Sequence, residues 1–216
     1  MALLYDPDEA ITYLSGNDRV LGALIEAAGP FRLEIRSNRS VFEVLLRSIV
    51  YQQLSDRAAG TIYRRLMDAI ADGSSPSPER LLQTPADSLR AAGLSQAKIR
   101  ASQDLASKTL AGDLPSLSAL KKMTDEEIVD RLTIVRGIGP WTVHMLLIFH
   151  LGRPDVLPTT DLGVKKGFML TYGIPELPSP DTLLDHGELW RPFRSVASWY
   201  LWRAVDLQTG TPPPAI

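Results

Sequence analysis

Apolar residues recur every three to four positions along nearly all of this 216-residue chain, and that period constrains its fold more than any other feature. Ala58, Ile62, Leu66 and Ile70 follow one another at four-residue steps behind Ser55, a residue suited to cap a helix N-terminus. Leu189, Phe193, Val196, Ala197, Tyr200, Leu201 and Ala204 trace one stripe of another helix. Val41–Tyr51 and Trp141–Leu151 are apolar on most faces and are predicted to be buried helices. Shorter helices are predicted near 78–84, 86–92, 95–109 and 124–132, and a further run covers Leu162–Tyr172. Loops are expected at Asp72–Pro78 and Pro175–Pro180, and the tail Thr209–Ile216 is expected to fray. The best candidate strand, Phe31–Arg36, is a weak one, and there is no solenoid-like repeat. The expected fold class is all-α.

Composition excludes several chemistries. With no cysteine there can be no disulfide, thiolate zinc site, iron–sulfur cluster or cysteine nucleophile. His144, His150 and His186 are the only imidazoles and none stands four residues from another, so a histidine-rich metal site is not expected. The first residues, Met1–Glu9, lack a basic segment followed by an apolar run, so no signal peptide is expected. No uninterrupted apolar stretch exceeds the five residues of Met145–Phe149, far short of a membrane span. A soluble intracellular protein is expected, with no membrane partner. Against 25 acidic residues stand 23 Lys and Arg, a net charge of −2. Any nucleic-acid binding must therefore come from a local site, not from bulk charge.

The most informative stretch is Arg136-Gly137-Ile138-Gly139-Pro140-Trp141-Thr142. One helical pattern ends near Val135 and another begins at Pro140 or Trp141. Gly137 can take the left-handed conformation that ends a helix, and Gly139 lets a backbone come close to another chain. Pro140 suits the first position of a helix. The outcome is helix, tight hairpin, helix, with backbone N–H groups presented at a helix N-terminus, where an anionic oxygen such as a DNA phosphate is favoured. Spacing alone leaves a plain helical connection equally open.

These residues resemble the helix–hairpin–helix of a DNA glycosylase superfamily. Val156-Leu157-Pro158-Thr159-Thr160-Asp161-Leu162-Gly163-Val164, about twenty residues past Trp141, resembles that family's loop and helix start with its catalytic aspartate. Ser48-Ile49-Val50-Tyr51-Gln52-Gln53-Leu54-Ser55 is similar to its segment that probes the base stack. Arg191–Ser195 through Trp202 resembles the C-terminal helix of the DNA-3-methyladenine glycosylase II branch. The four motifs stand in family order over roughly residues 40–205. Strand-cutting members carry a lysine where this chain has Trp141. The resemblance thus implies a monofunctional hydrolase with no Schiff-base amine. It also implies a compact form, without the β-rich N-terminal domain of longer alkylbase glycosylases.

The resemblance assigns roles. Asp161, taken alone, is an ordinary carboxylate at a helix start. In the family pattern it is catalytic: ionised, it would stabilise oxocarbenium character on the deoxyribose and orient the attacking water. No second carboxylate is evident as a general acid. An alkylated, cationic purine leaves as a neutral molecule and needs little proton donation, so the implied substrates are 3-methyladenine and 7-methylguanine. Trp202 lies nearly opposite its helix's apolar stripe and needs another surface to cover it. Trp202, Trp141 and, one turn on, Met145 are the implied base pocket, where indole and cationic base attract by about 0.5–2 kcal/mol. Trp190 and Trp199 are read as structural. The wedge that fills the flipped base's place falls at Gln53 or Leu54. Arg136, Gly137, Gly139 and Lys165 are candidate phosphate contacts, with Lys166 beside them and Arg39, Arg47 and Arg57 around the wedge. No cofactor is required. A sodium or potassium ion on the main-chain carbonyls of Thr133, Val135 and Ile138 is implied by resemblance only.

The expectation is two helical lobes with an interlobe cleft: 41–155, ending in the hairpin, and 1–40 with 156–216, carrying Asp161 and the C-terminal helix. The expected partner is damaged double-stranded DNA, acted on by a monomer that excises alkylated purines. Two alternatives stay open: a glycosylase for deaminated or etheno bases, and a non-enzymatic helix–hairpin–helix binding module.

Overall fold

The structure, a computed structural model, describes residues 3–35, 39–72 and 75–210. It is built of helices: α1 Pro7–Asn17, α2 Arg19–Ala28, α3 Val41–Tyr51, α4 Asp56–Ile70, α5 Pro78–Gln83, α6 Ala86–Ala91, α7 Gln96–Ala111, α8 Leu117–Leu120, α9 Asp125–Leu132, α10 Pro140–Leu146, α11 Leu162–Tyr172, α12 Pro180–Gly187 and α13 Arg194–Thr209. The only strands among the described residues are Ala71–Asp72 and Ser75–Pro76, a two-residue antiparallel pairing. No helix among the described residues is long and apolar enough to cross a membrane.

Local chemistry sets most helix starts. The hydroxyls of Ser40, Ser55, Ser77, Ser95, Ser116, Thr124 and Ser179 each accept from the backbone N–H three residues on. Thr124 adds a full capping box with Glu127. Asp6, Asp18 and Asp161 cap α1, α2 and α11.

The chain forms two compact units. One is Asn38–Val143; the other joins Met1–Ser37 to His144–Ile216. The division therefore falls inside α10, about twelve residues before the expected limit at 155. The reason is side-chain hydrogen bonding to α13. Ser195 Oγ accepts from Val156 N and donates to the carbonyl of Arg153, while Arg194 grips Asp155. Residues 153–156 are thus tied to α13.

In the Asn38–Val143 unit, α3 is buried at Val41, Phe42, Val44, Leu45, Leu46, Ile49 and Val50, and packs on α4 and α7. In the other unit the core gathers Leu14, Leu21, Val164, Phe168, Trp190, Val196, Tyr200 and Leu201 around a close crossing of α11 and α13. A Cβ at Gly167 would stand 1.9 Å from the Leu201 carbonyl oxygen, so only glycine permits this approach. Asp18, 6% exposed, accepts from Tyr172 Oη, Trp190 Nε1 and the backbone N–H groups of Val20 and Leu21, and lies 3.0 Å from His186 Nε2. Burial pushes its carboxyl up, but these hydrogen bonds outweigh it and hold the pKa at about 2.

Several sequence expectations need correction. Trp141–Leu151 is not one regular helix: α10 ends at Leu146 and a π turn covers Leu147–Leu151. The stripe drawn from Leu189 is broken, because Pro192 separates a 3₁₀ turn at Glu188–Trp190 from α13; Leu189 is left 49% exposed. Residues 31–35 form no strand; the Phe31 ring packs edge-on against Trp199 instead. Arg36 and the tail from residue 211 lie outside the described residues. Helices α1, α2, α8 and α12 were not anticipated.

Candidate active site

Asp161 is the N-cap of α11. Its Oδ1 accepts from Val164 N at 2.8 Å and from the indole Nε1–H of Trp202, on α13, also at 2.8 Å. The indole in turn stacks on Phe149, with ring centroids 5.6 Å apart and planes at 25°. Room for this is made at Gly163, where a Cβ would meet Trp202 Cδ1 at 2.7 Å and Asp161 Oδ1 at 3.0 Å. The carboxylate is therefore oriented from two sides, by a helix N-terminus and by a clamped indole.

Asp18 is also a helix cap bonded by an indole, yet it is enclosed by further donors and is structural. Asp161 is only half-buried, unlike Asp18. Trp202, read from the sequence as a face of the base pocket, is here also the residue that holds Asp161. Phe149 and Gly163 were missed; the Gly two residues past the Asp was the one available signal for the latter.

The hairpin lies in the Asn38–Val143 unit. Helix α9 ends at Leu132, Gly137 takes φ 79°, and Pro140 opens α10. Beyond its chain neighbours, no atom among the described residues lies within 4 Å of where a Gly139 Cβ would stand, so crowding among them does not demand glycine there. The N–H groups of Gly137 and Gly139 meet no acceptor among the described residues. Arg136 is exposed and its backbone N–H donates to Asp104 Oδ2 at 2.8 Å. Trp141, on the first turn of α10, is 42% exposed; Met145, one turn on, is half-buried. Lys165 is half-buried and Lys166 exposed in the first turns of α11, in the unit that holds Asp161.

The wedge segment follows α3. Gln53 has φ 57°, the only positive φ at a non-glycine residue among those described. Such a conformation costs about 1–2 kcal/mol and marks a position under constraint. Both Gln53 and Leu54 are exposed. Gln52 Nε2 donates to the Gly137 carbonyl at 2.9 Å, joining this turn to the hairpin. Lys98 and Asp104, which support turn and hairpin from α7, carried no sequence signal.

One unit carries an oriented carboxylate at a helix start and the other a glycine hairpin. The chain belongs to the HhH-GPD superfamily of base excision DNA repair proteins, whose family pattern matches residues 46–192. It is 36% identical over 210 residues to DNA-3-methyladenine glycosylase 1 of Schizosaccharomyces pombe, covering 95% of this chain and 90% of that one. Among solved structures it resembles the 3-methyladenine DNA glycosylase Mag1 of S. pombe in complex with abasic DNA, with TM-score 0.83 and 35% identity over 90% of this chain and 95% of that one. It also resembles a DNA-3-methyladenine glycosidase from Bacillus halodurans, with TM-score 0.82 and 34% identity over 93% and 91%.

Proposed function

We propose that this chain is a monofunctional DNA glycosylase that flips alkylated purines, of the 3-methyladenine and 7-methylguanine type, from duplex DNA and hydrolyses their glycosidic bond. The observation that carries the reading is Asp161, held by Val164 N and Trp202 Nε1 yet only half-buried. The relatives named above, and the abasic-DNA complex among them, support the substrate class.

Cleavage withdraws electrons from the sugar as the C1′–N bond breaks, and the oxocarbenium character that develops is stabilised by a fixed negative charge beside it. Asp161 supplies that charge and orients the water that adds to C1′, the proton lost by that water passing to the carboxylate and then to solvent. A cationic alkylated purine takes the bonding electron pair and departs neutral, so a general acid is not required. At Trp141, position 141 offers an indole and no amine, which fits hydrolysis without strand cleavage. Phosphate oxygens are gripped by the Gly137 and Gly139 amides, helped by Arg136. Gln53 or Leu54 fills the space that the flipped base leaves. The main-chain carbonyls of Thr133 and Val135, just past the end of α9, with that of Ile138, suit a sodium or potassium ion. The Val135 carbonyl already accepts from Ile138 N and retains a second lone pair.

The test is base release from methylated duplex DNA, read by chromatography. Free 3-methyladenine or 7-methylguanine with an intact strand is expected. Tight binding to abasic duplex with no release from a panel of alkylated, deaminated and etheno substrates would leave a binding module instead.

A further inference from the structure

The Asn38–Val143 unit contains both the turn that carries Gln53 and the hairpin, and one helix touches both. Along α7, three residues at three-residue steps form a contiguous stripe. Lys98 Nζ donates to the carbonyls of Val50 at 2.6 Å and Gln52 at 2.9 Å. Ala101 Cβ lies 3.4 Å from where a Gly137 Cβ would stand. Asp104 Oδ2 accepts from Arg136 N, with Lys108 paired to its other oxygen.

Lys98 is oddly placed for its own helix. It sits in the first turn of α7, where its backbone N–H joins the Ser95 cap and where a cation opposes the helix dipole. For α3 the same cation is favourable, since it meets carbonyls at that helix's C-terminal end. Burial pushes its pKa below the usual lysine range, so its placement costs desolvation as well. The chain accepts both costs at two carbonyls, Val50 and Gln52, just before Gln53's left-handed backbone. Two neighbouring carbonyls are satisfied locally, Ser48 O by Gln52 N and Tyr51 O by Leu54 N.

We infer that α7 is a strut that sets the spacing between the base-stack probe and the phosphate-gripping hairpin, with Lys98 the positioning residue that holds the probe turn in its strained conformation. The inference rests on the glycosylase reading above. Lys98 makes no contact with DNA in this scheme; it acts through Gln53 and Leu54. Its loss therefore penalises the unstacking of a paired base, and spares a base that is already unstacked.

The test compares wild type, Lys98→Met and Lys98→Arg in single-turnover release of 7-methylguanine. One duplex pairs the lesion with cytosine; another holds it in a single-nucleotide bulge. Lys98→Met is expected to slow release from the paired duplex by about tenfold or more, the scale of two lost hydrogen bonds from a charged donor. Release from the bulge and affinity for abasic duplex are expected to change by less than about threefold, since little unstacking remains to be done. Lys98→Arg is expected to recover most of the loss. Equal slowing on both duplexes, or none on the paired one, overturns the inference. Hydrogen exchange on the free protein reads it independently of activity. The Gln52 and Leu54 amides are expected to exchange faster in Lys98→Met, and unchanged exchange there overturns the strut. A wild-type chain that releases no base at all would instead sink the functional reading.

Discussion

Asp161→Asn separates the catalytic work of the carboxylate from its structural work. A carboxamide keeps an oxygen at Oδ1, so both the Val164 N and Trp202 Nε1 bonds survive in neutral form. The change removes the charge's interaction with the α11 N-terminus, about 0.3–1 kcal/mol, and part of the strength of two charge-assisted bonds, about 1 kcal/mol together. Stability should fall by about 1–2 kcal/mol. Asp161→Ala loses the cap and leaves the indole N–H without this acceptor, so about 2–4 kcal/mol is expected. Activity should not follow that order. If the negative charge stabilises the developing sugar cation, both variants lose about 10²–10³-fold in single-turnover base release, the scale of other preorganised electrostatic contacts. Denaturant unfolding gives the stabilities and chromatographic base release the rates. Base release by folded Asp161→Asn within about tenfold of wild type would refute the electrostatic role. Equal destabilisation by Asn and Ala would refute the bonding scheme at Oδ1.

Gly167→Ala places a methyl group on the Leu201 backbone and should destabilise the unit containing α11 and α13 by about 1–3 kcal/mol or more, measured by denaturant unfolding. Gln53→Gly relieves a left-handed backbone while removing the probe. Stability should hold or rise by up to about 1 kcal/mol in thermal unfolding, while excision from paired duplex falls. For Asp18 the folded pKa, about 2, lies below the ordinary 3.8. Because the folded value is the lower one, the stabilisation is fully present above about pH 4 and is lost as pH falls towards 2. Asp18→Asn should therefore be less stable than wild type near neutrality, with the gap closing across that acid range in unfolding curves taken at successive pH values.

Much of the secondary structure was legible because its causes are local. The run Leu162–Tyr172 matches α11 residue for residue, since Asp161 caps its start and Gly173 ends it in the left-handed region. The hairpin was legible for the same reason: the left-handed turn at Gly137 and the helix start at Pro140 are properties of single residues. Helices α1 and α2 were missed although Asp6 and Asp18 cap them, because their stripes are short and the join between them is a single residue. The π turn after α10 leaves no mark in an apolar run, where every phase reads alike.

By itself, then, the sequence determined the bounds of locally capped helices such as α11, where the hairpin turns, and that residue 161 carries a carboxylate at a helix start. The period of a helix, the hydroxyl of a cap and the backbone freedom of a glycine act within a few residues. Tertiary structure alone decided what stands against that carboxylate. Trp202 lies 41 residues from Asp161, and reaches it because α13 crosses α11 closely at Gly167 and Gly163 leaves space for the ring. Lys98 reaches across 46 and 48 residues to the turn at Gln52 and Val50, and Asp104 across 32 to Arg136. Such partnerships depend on the rotational phase and closeness of packed helices, which emerge only when the apolar stripes of different helices bury one another.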